Sequence, residues 1–182
     1  MYGIYTEEEL QKFRDGSDPY GYPNTDWNKE VLLPRAWQQM HSLTASGGSD
    51  KVKYFAGFGY VKQDALYGDT RTNKSTSGFN RYNARVNIDA NIVDKYLNLS
   101  ADMAYRQEDR NSIAGSTSDV FNNMHRNPQT DPGRFPDGNL GKVSLGVNPI
   151  GLATEGGWVK DRKSVLNTRF MLDFNVPGLE GL

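Results

Sequence analysis

Apolar and polar residues exchange places at every step from Arg81 to Ile92. Tyr82, Ala84, Val86, Ile88, Ala90 and Ile92 fall on one phase, and Arg81, Asn83, Arg85, Asn87, Asp89 and Asn91 on the other. Successive side chains of an extended chain point to opposite faces, so this unbroken period of two predicts a two-faced strand. Four further strands follow from the same pattern. Over Gln38–Ser46, His41, Leu43 and Ala45 alternate with Ser42, Thr44 and Ser46. Over 51–61, Val52, Tyr54, Ala56, Phe58 and Tyr60 share a face, less cleanly opposed by Lys53, Phe55, Gly57, Gly59 and Val61. Over 97–107, Leu97, Leu99, Ala101, Met103 and Tyr105 oppose Asn98, Ser100, Asp102, Ala104 and Arg106. Over roughly Arg162–Val176, Leu166, Thr168, Phe170, Leu172 and Phe174 oppose Asn167, Arg169, Met171, Asp173 and Asn175.

Helical periodicity is confined to short pieces. Residues 6–14 predict a helix capped by Thr6, with Glu9 three positions on and Asp15-Gly16 as its stop; Leu10 and Phe13 give it a small apolar stripe. Gly16 to Pro34 reads as an irregular surface segment rich in turn formers. Residues 108–161 show little alternation. One helix is expected near Ser118–Arg126, capped by Ser118 or Asp119 and turning Val120, Phe121 and Met124 inward. Pro128, Pro132-Gly133 and Pro136-Asp137-Gly138 then break the chain.

The connections alternate in length. They run short (Gly47 to Asp50), long (Lys62 to Gly78), short (Val93 to Tyr96), very long (Gln107 to Asp161) and short (Pro177-Gly178). In an up-and-down antiparallel sheet, successive connections fall at opposite edges, so the long loops gather at one edge, as in outer-membrane barrels. Strand length agrees, because a tilted strand needs about 9–11 residues to cross hydrocarbon, whereas soluble strands cluster near 5–6. Burying Arg81, Arg85 and Asp89 in a dry core would carry a large desolvation penalty, which a wet lumen avoids. Tyr54, Tyr60, Tyr82, Tyr96 and Tyr105 fall near strand ends, where each is either part of an aromatic girdle or a plain sheet-surface aromatic. The expected fold is all-β: a partial antiparallel transmembrane β-barrel of about five strands with long external loops and short helices. A soluble sheet with one wetted face explains the alternation, but the loop asymmetry and strand lengths poorly.

Composition narrows the options further. Mean hydropathy is −0.71, and no run approaches the roughly 20 apolar residues of a membrane-spanning helix. A net charge of −1 from interspersed acids and bases gives no basic stripe for nucleic acid. The absence of cysteine removes disulfides, thiol nucleophiles and thiolate metal sites. Met1-Tyr2-Gly3-Ile4-Tyr5 has neither the basic start nor the apolar core of a signal peptide, and five strands cannot close a single-chain barrel of at least eight. Both point to a piece of a longer wall.

The segments NTDW (24–27), QQMHSLTASGGSDKVKYFAGFGYVKQDAL (38–66), FNRYNARVNIDANI (79–92) and LNLSADMAYR (97–106), flanked by DGSDPYGYPNTDW and VLNTRFMLDFNVPGLEGL, resemble the SusC/RagA-like family of TonB-dependent outer-membrane transporters. That resemblance implies a 22-stranded barrel around an amino-terminal plug, importing oligosaccharides or peptides with energy delivered through TonB. It also implies a SusD-like surface lipoprotein as lid over the external mouth. Residues 1–36 would be a helix-containing external loop segment and 37–182 an incomplete TonB-dependent receptor β-barrel region. The TonB box, the plug, the carboxypeptidase-like extension and most of the barrel would lie elsewhere. The implied location is the outer membrane, with lipid as a partner and no nucleic acid.

No catalytic constellation is expected, and neither is a cofactor or metal site; the chain does not read as an enzyme. His41 sits on a strand face as a packing or interfacial residue, and His125 beside Arg126 suits a helix carboxyl end. Glu108 and Asp109 adjoin a loop, with nothing to fix a glycosidase separation. Asp131 to Asn139 carries possible calcium ligands without EF-hand spacing. Gly47-Gly48, Gly57 and Gly59 permit curvature or close backbone approach. Trp27, Trp158, Phe121 and Phe135 are candidates for stacking on a sugar or packing against a lid, or for anchoring their loops. Arg81, Arg85, Asp89, Asp102, Arg169 and Asp173 line the lumen or meet the plug. The alternative reading is a soluble or surface-attached carbohydrate-binding or adhesion β-sheet protein.

Overall fold

The computed structural model describes residues 5–94 and 96–176. In chain order the elements are α1 (Glu7–Asp15), α2 (Trp27–Val31), β1 (Gln38–Gly48), β2 (Val52–Asp64), β3 (Gly68–Asp69), β4 (Lys74–Ser75), β5 (Gly78–Val93), β6 (Leu97–Ile113), α3 (Thr117–Arg126), α4 (Pro149–Thr154) and β7 (Trp158–Phe174). Strand outweighs helix, 48% against 18%, so the chain is mostly β. The expected turn at Pro177-Gly178 lies outside the described residues.

The five long strands form one antiparallel sheet in the order β1-β2-β5-β6-β7, and β3 pairs with β4 separately. Spatial order follows chain order, as an up-and-down meander requires. β1 and β7 are its edges; the described sheet is open. Links of a few residues join β1 to β2 and β5 to β6. At the first, Ser49 donates its N–H to Val52 O at 2.7 Å, and its hydroxyl accepts from the N–H of Lys51 and of Val52.

β6 and β7 run further than alternation predicted, to Ile113 and from Trp158, so the long connection is 114–157 rather than 107–161. Glu108 to Asn111 is polar on both phases and hides from a hydrophobicity pattern. The backbone ladder nevertheless continues, tied by Arg162 Nε donating to Asp109 Oδ1 at 2.6 Å.

The chain divides into two compact units. One is the sheet unit, from Trp37–Gln63, Phe79–Arg110 and the chain from Asp161. The other comprises the chain up to Ala36, Asp64–Gly78 and Asn111–Lys160, and it has its own core. Trp27, Val31, Tyr67, Ile113, Val120, Met124, Ile150 and Ala153 are buried together, with Phe121, Leu140 and Leu152 packed against them.

This core corrects the expectation of an irregular surface segment at 16–34. Asp26 caps α2 by accepting from the N–H of Asn28 and Lys29, and Trp27, Val31 and Leu33 are buried. Their partners are remote in sequence. Trp27 Nε1 donates to Pro128 O at 3.1 Å, and Thr25 Oγ1 donates to Asp131 O at 2.7 Å.

α1 forms as its caps dictate. Thr6 and Glu9 make the reciprocal capping box, and Gly16 ends the helix at φ 66°, a left-handed conformation that glycine adopts freely. α3 is capped two or three residues earlier than expected, by Ser116 rather than Ser118 or Asp119. α4, not anticipated, is capped by Asn148 with Pro149 in its first turn.

Candidate functional site

Each face of the sheet unit has its own chemistry. The β1–β2 register pairs His41 with Tyr60, Leu43 with Phe58, Ala45 with Ala56 and Gly47 with Tyr54. Directly opposed residues share a face, so the apolar phases of β1 and β2 coincide. The Tyr60 and Tyr82 rings lie 5.1 Å apart, which puts Tyr82, Val86, Ile88 and Ile92 on that face too. Tyr105 hydroxyl donates to Ser164 Oγ at 3.4 Å, adding Met103 on β6 and Leu166, Phe170, Leu172 and Phe174 on β7. Most of this face is open, although Tyr60 and Tyr82 are half-buried. Leu43 is 72% exposed, Phe170 71% and Leu172 66%.

This apolar surface has an aromatic border. His41 stacks on Tyr60 at 6.3 Å with an interplanar angle of 8°, and Tyr82 and Tyr105 continue the row on β5 and β6. Beyond them on the same face come polar residues: Gln39, paired with Lys62, Asn80, which accepts from the Tyr60 hydroxyl, and the Arg162–Asp109 ion pair. From Tyr82 to Ile92, at about 3.4 Å per residue, the apolar stretch of β5 is roughly 34 Å long. Tyr54 and Tyr96 lie towards the other strand ends, both exposed.

The opposite face is a hydrogen-bonded charge network. Arg169 donates to Asp102 Oδ2 through Nε at 2.8 Å and Nη2 at 2.6 Å. Asn87 donates to the other Asp102 oxygen, Arg85 Nε to Asn87 Oδ1 at 2.9 Å, and Ser100 Oγ to Asp89 Oδ1 at 2.7 Å. Arg85, Asp102 and Arg169 are thus linked through Asn87, while Asp89 is bonded to Ser100 and Arg81 shares their phase. Arg169 remains in reach of water, its side chain being 65% exposed, whereas Arg81 Nε is buried with no hydrogen-bond partner among the described residues.

Other residues singled out from sequence fall as follows. Glu108 and Asp109 lie within β6, not beside a loop, and adjacent strand residues face opposite ways. Glu108 pairs with Arg106 at 3.6 Å and Asp109 with Arg162, so they do not converge on a common substrate. His125 Nδ1 lies 2.7 Å from Phe121 O at the end of α3. Asp131 accepts from both the N–H and the hydroxyl of Ser144 at 2.7 Å, and Asp137 accepts from the backbone N–H of Asn139. Among the described residues no three acidic or histidine side chains converge. A Cβ on Gly57 would crowd the Phe55 ring at 3.2 Å, and one on Gly47 would meet the Tyr54 ring at 2.9 Å, so these glycines make room for aromatic neighbours.

The four loop aromatics separate. Trp27 is core, 4% exposed, and unavailable to any ligand. Phe121 packs edge-on to Tyr67, and Phe135 lies 6.2 Å from Tyr20. Trp158 is 67% exposed and borders a cleft of about 510 Å³ lined also by Thr76, Asn111, Thr154, Glu155 and Lys160. Sequence reasoning missed this cleft, because its walls come from segments distant along the chain; the exposed Trp158 was its one visible signal. No known family model and no curated protein matches the chain.

Proposed function

We propose that this chain is a section of the wall of an outer-membrane β-barrel, with its apolar face against lipid and its charged face towards a water-filled interior. The observation that carries the reading is the open apolar face bordered by the His41–Tyr60–Tyr82–Tyr105 row. Fully covering one Leu, Ile or Phe is worth about 1.5–3 kcal/mol, so a surface bearing Leu43, Phe58, Ile88, Leu166, Phe170, Leu172 and Phe174 calls for an apolar solvent. Lipid supplies one, and the aromatic border matches the interfacial girdle of such walls. The charged network on the other side suits water.

The sequence resemblance carries the reading one step further. The wall belongs to a SusC/RagA-like transporter that imports oligosaccharides or peptides, energised through TonB, with a SusD-like lipoprotein as lid. Ligand is captured at the external mouth, the plug is displaced by TonB, and the solute passes through the barrel.

Flotation with liposomes tests the wall. The refolded chain should rise with vesicles and need detergent once they are removed. A freely soluble monomer that unfolds cooperatively without detergent would contradict the reading and favour a soluble carbohydrate-binding or adhesion protein.

A further inference from the structure

We propose that the cleft beside Trp158 binds a saccharide unit carrying a carboxylate, with Trp158 as the stacking platform and Lys160 as the group that reads the acid. The inference deepens the import reading and rests on it for the ligand's direction of travel. An indole 67% exposed at the rim of a cleft offers a broad flat apolar face with little conformational entropy to lose. The C–H face of a pyranose packs against such a surface. The cleft volume of about 510 Å³ is in the range of small-molecule sites.

The polar rim suits hydroxyl groups. Thr76 Oγ1 donates to Ala153 O and Thr154 Oγ1 to Ile150 O, each at 2.7 Å. Both hydroxyls are held in place by those bonds; Thr154 Oγ1 already accepts from Arg134 Nη2 at 3.5 Å, and each oxygen keeps a further lone pair for a ligand. Asn111 adds an amide that is both donor and acceptor. Side-chain amide, hydroxyl and carboxylate groups distributed around a ring platform fit a polyol better than a peptide backbone.

Charge selects among saccharides. Glu155 is compensated by Arg134, whose Nη2 lies 2.9 Å away. Lys160 has no carboxylate partner among the described residues. Its ammonium rests 4.6 Å from the Trp158 ring centroid, an exposed cation–π contact weak enough to give way to a ligand. The cleft therefore presents, over one face of its aromatic platform, a cation with no carboxylate partner among the described residues. A uronic acid carries its carboxylate (C6) on ring carbon C5, and a sugar stacked on the indole brings it within reach of that ammonium.

The test is calorimetric titration of the full chain in detergent with trigalacturonate, maltotriose and triglutamate. Trigalacturonate should bind best. Trp158→Ala should weaken it about tenfold or more, and Lys160→Gln should weaken it about tenfold and erase the preference over maltotriose. Equal binding of maltotriose and trigalacturonate, with Lys160→Gln silent, would overturn the acidic specificity. Triglutamate binding as tightly, indifference to Trp158→Ala, or no binding of any probe would each overturn the site. Liposome flotation of the same preparation separates the two readings: lost flotation counts against the wall, whereas lost saccharide binding with flotation intact counts against this cleft alone.

Discussion

Tyr60 on β2 and Tyr82 on β5 face each other at 5.1 Å with their rings tilted by 33°, on the line where the apolar surface of the sheet gives way to polar side chains. Aromatic pairs of this kind contribute about 0.5–1.5 kcal/mol beyond their buried area. A double-mutant cycle with Tyr60→Leu and Tyr82→Leu should return a coupling of that size in vesicle-refolded protein. Strict additivity would mean that the row is not a connected border.

If that border marks a lipid interface, as proposed, depth below it sets the cost of a charge. Ile88→Arg, near the middle of the band, should lower stability in a bilayer by about 2–4 kcal/mol, and Asn80→Arg, beyond the tyrosines, by about 0–1 kcal/mol. Denaturant titrations of vesicle-inserted protein measure both. Equal, small costs would place this face in water.

The second unit should fail locally when its core is opened. Met124, 6% exposed, packs with Trp27 and Val120, and Met124→Ala should cost about 2–5 kcal/mol. Asn148→Ala removes the cap of α4 together with Nδ2 bonds to Gly133 O (2.8 Å) and Gly141 O (2.9 Å), and a lost cap alone costs about 1 kcal/mol. Limited proteolysis should show both variants cut sooner between 114 and 157. Wild-type cleavage rates would contradict a packed core there.

α1 carries a pH dependence of known sign. The backbone and hydroxyl hydrogen bonds from Thr6 hold the Glu9 carboxyl below its usual value. A lowered folded-state value means that the cap's contribution is fully present above about 4.3, the ordinary glutamate value, and is lost as pH falls through the lowered one. The exchange protection factor of the Leu10 amide, whose N–H donates to Thr6 O, should fall on acidification once the intrinsic pH dependence of exchange is divided out. Thr6→Ala should produce the same loss of protection at neutral pH. A Glu9 that titrates at the ordinary value would contradict the capping geometry.

What could be read from the sequence tracks the range of the interactions involved. Tyr82 to Ile92 was legible because one face of β5 differs from the other at every residue, and α1 because its caps are local. α2 and α4 were not, since helices of five and six residues carry too few turns for periodicity. Trp27 looked like an exposed loop aromatic; its burial depends on Pro128, 101 residues away. The tyrosines were visible singly, but only the strand register brings them to one level. The strand ends at 108–113 escaped because hydrated polar side chains leave no alternation to detect.

The central claim is that neighbouring residues on β5 meet different solvents. The chain contains no cysteine, so single substitutions Arg85→Cys and Val86→Cys report without background. In the intact membrane assembly a water-soluble maleimide should label position 85 readily while position 86 stays protected. Equal labelling, or equal protection, at the two positions would contradict the account.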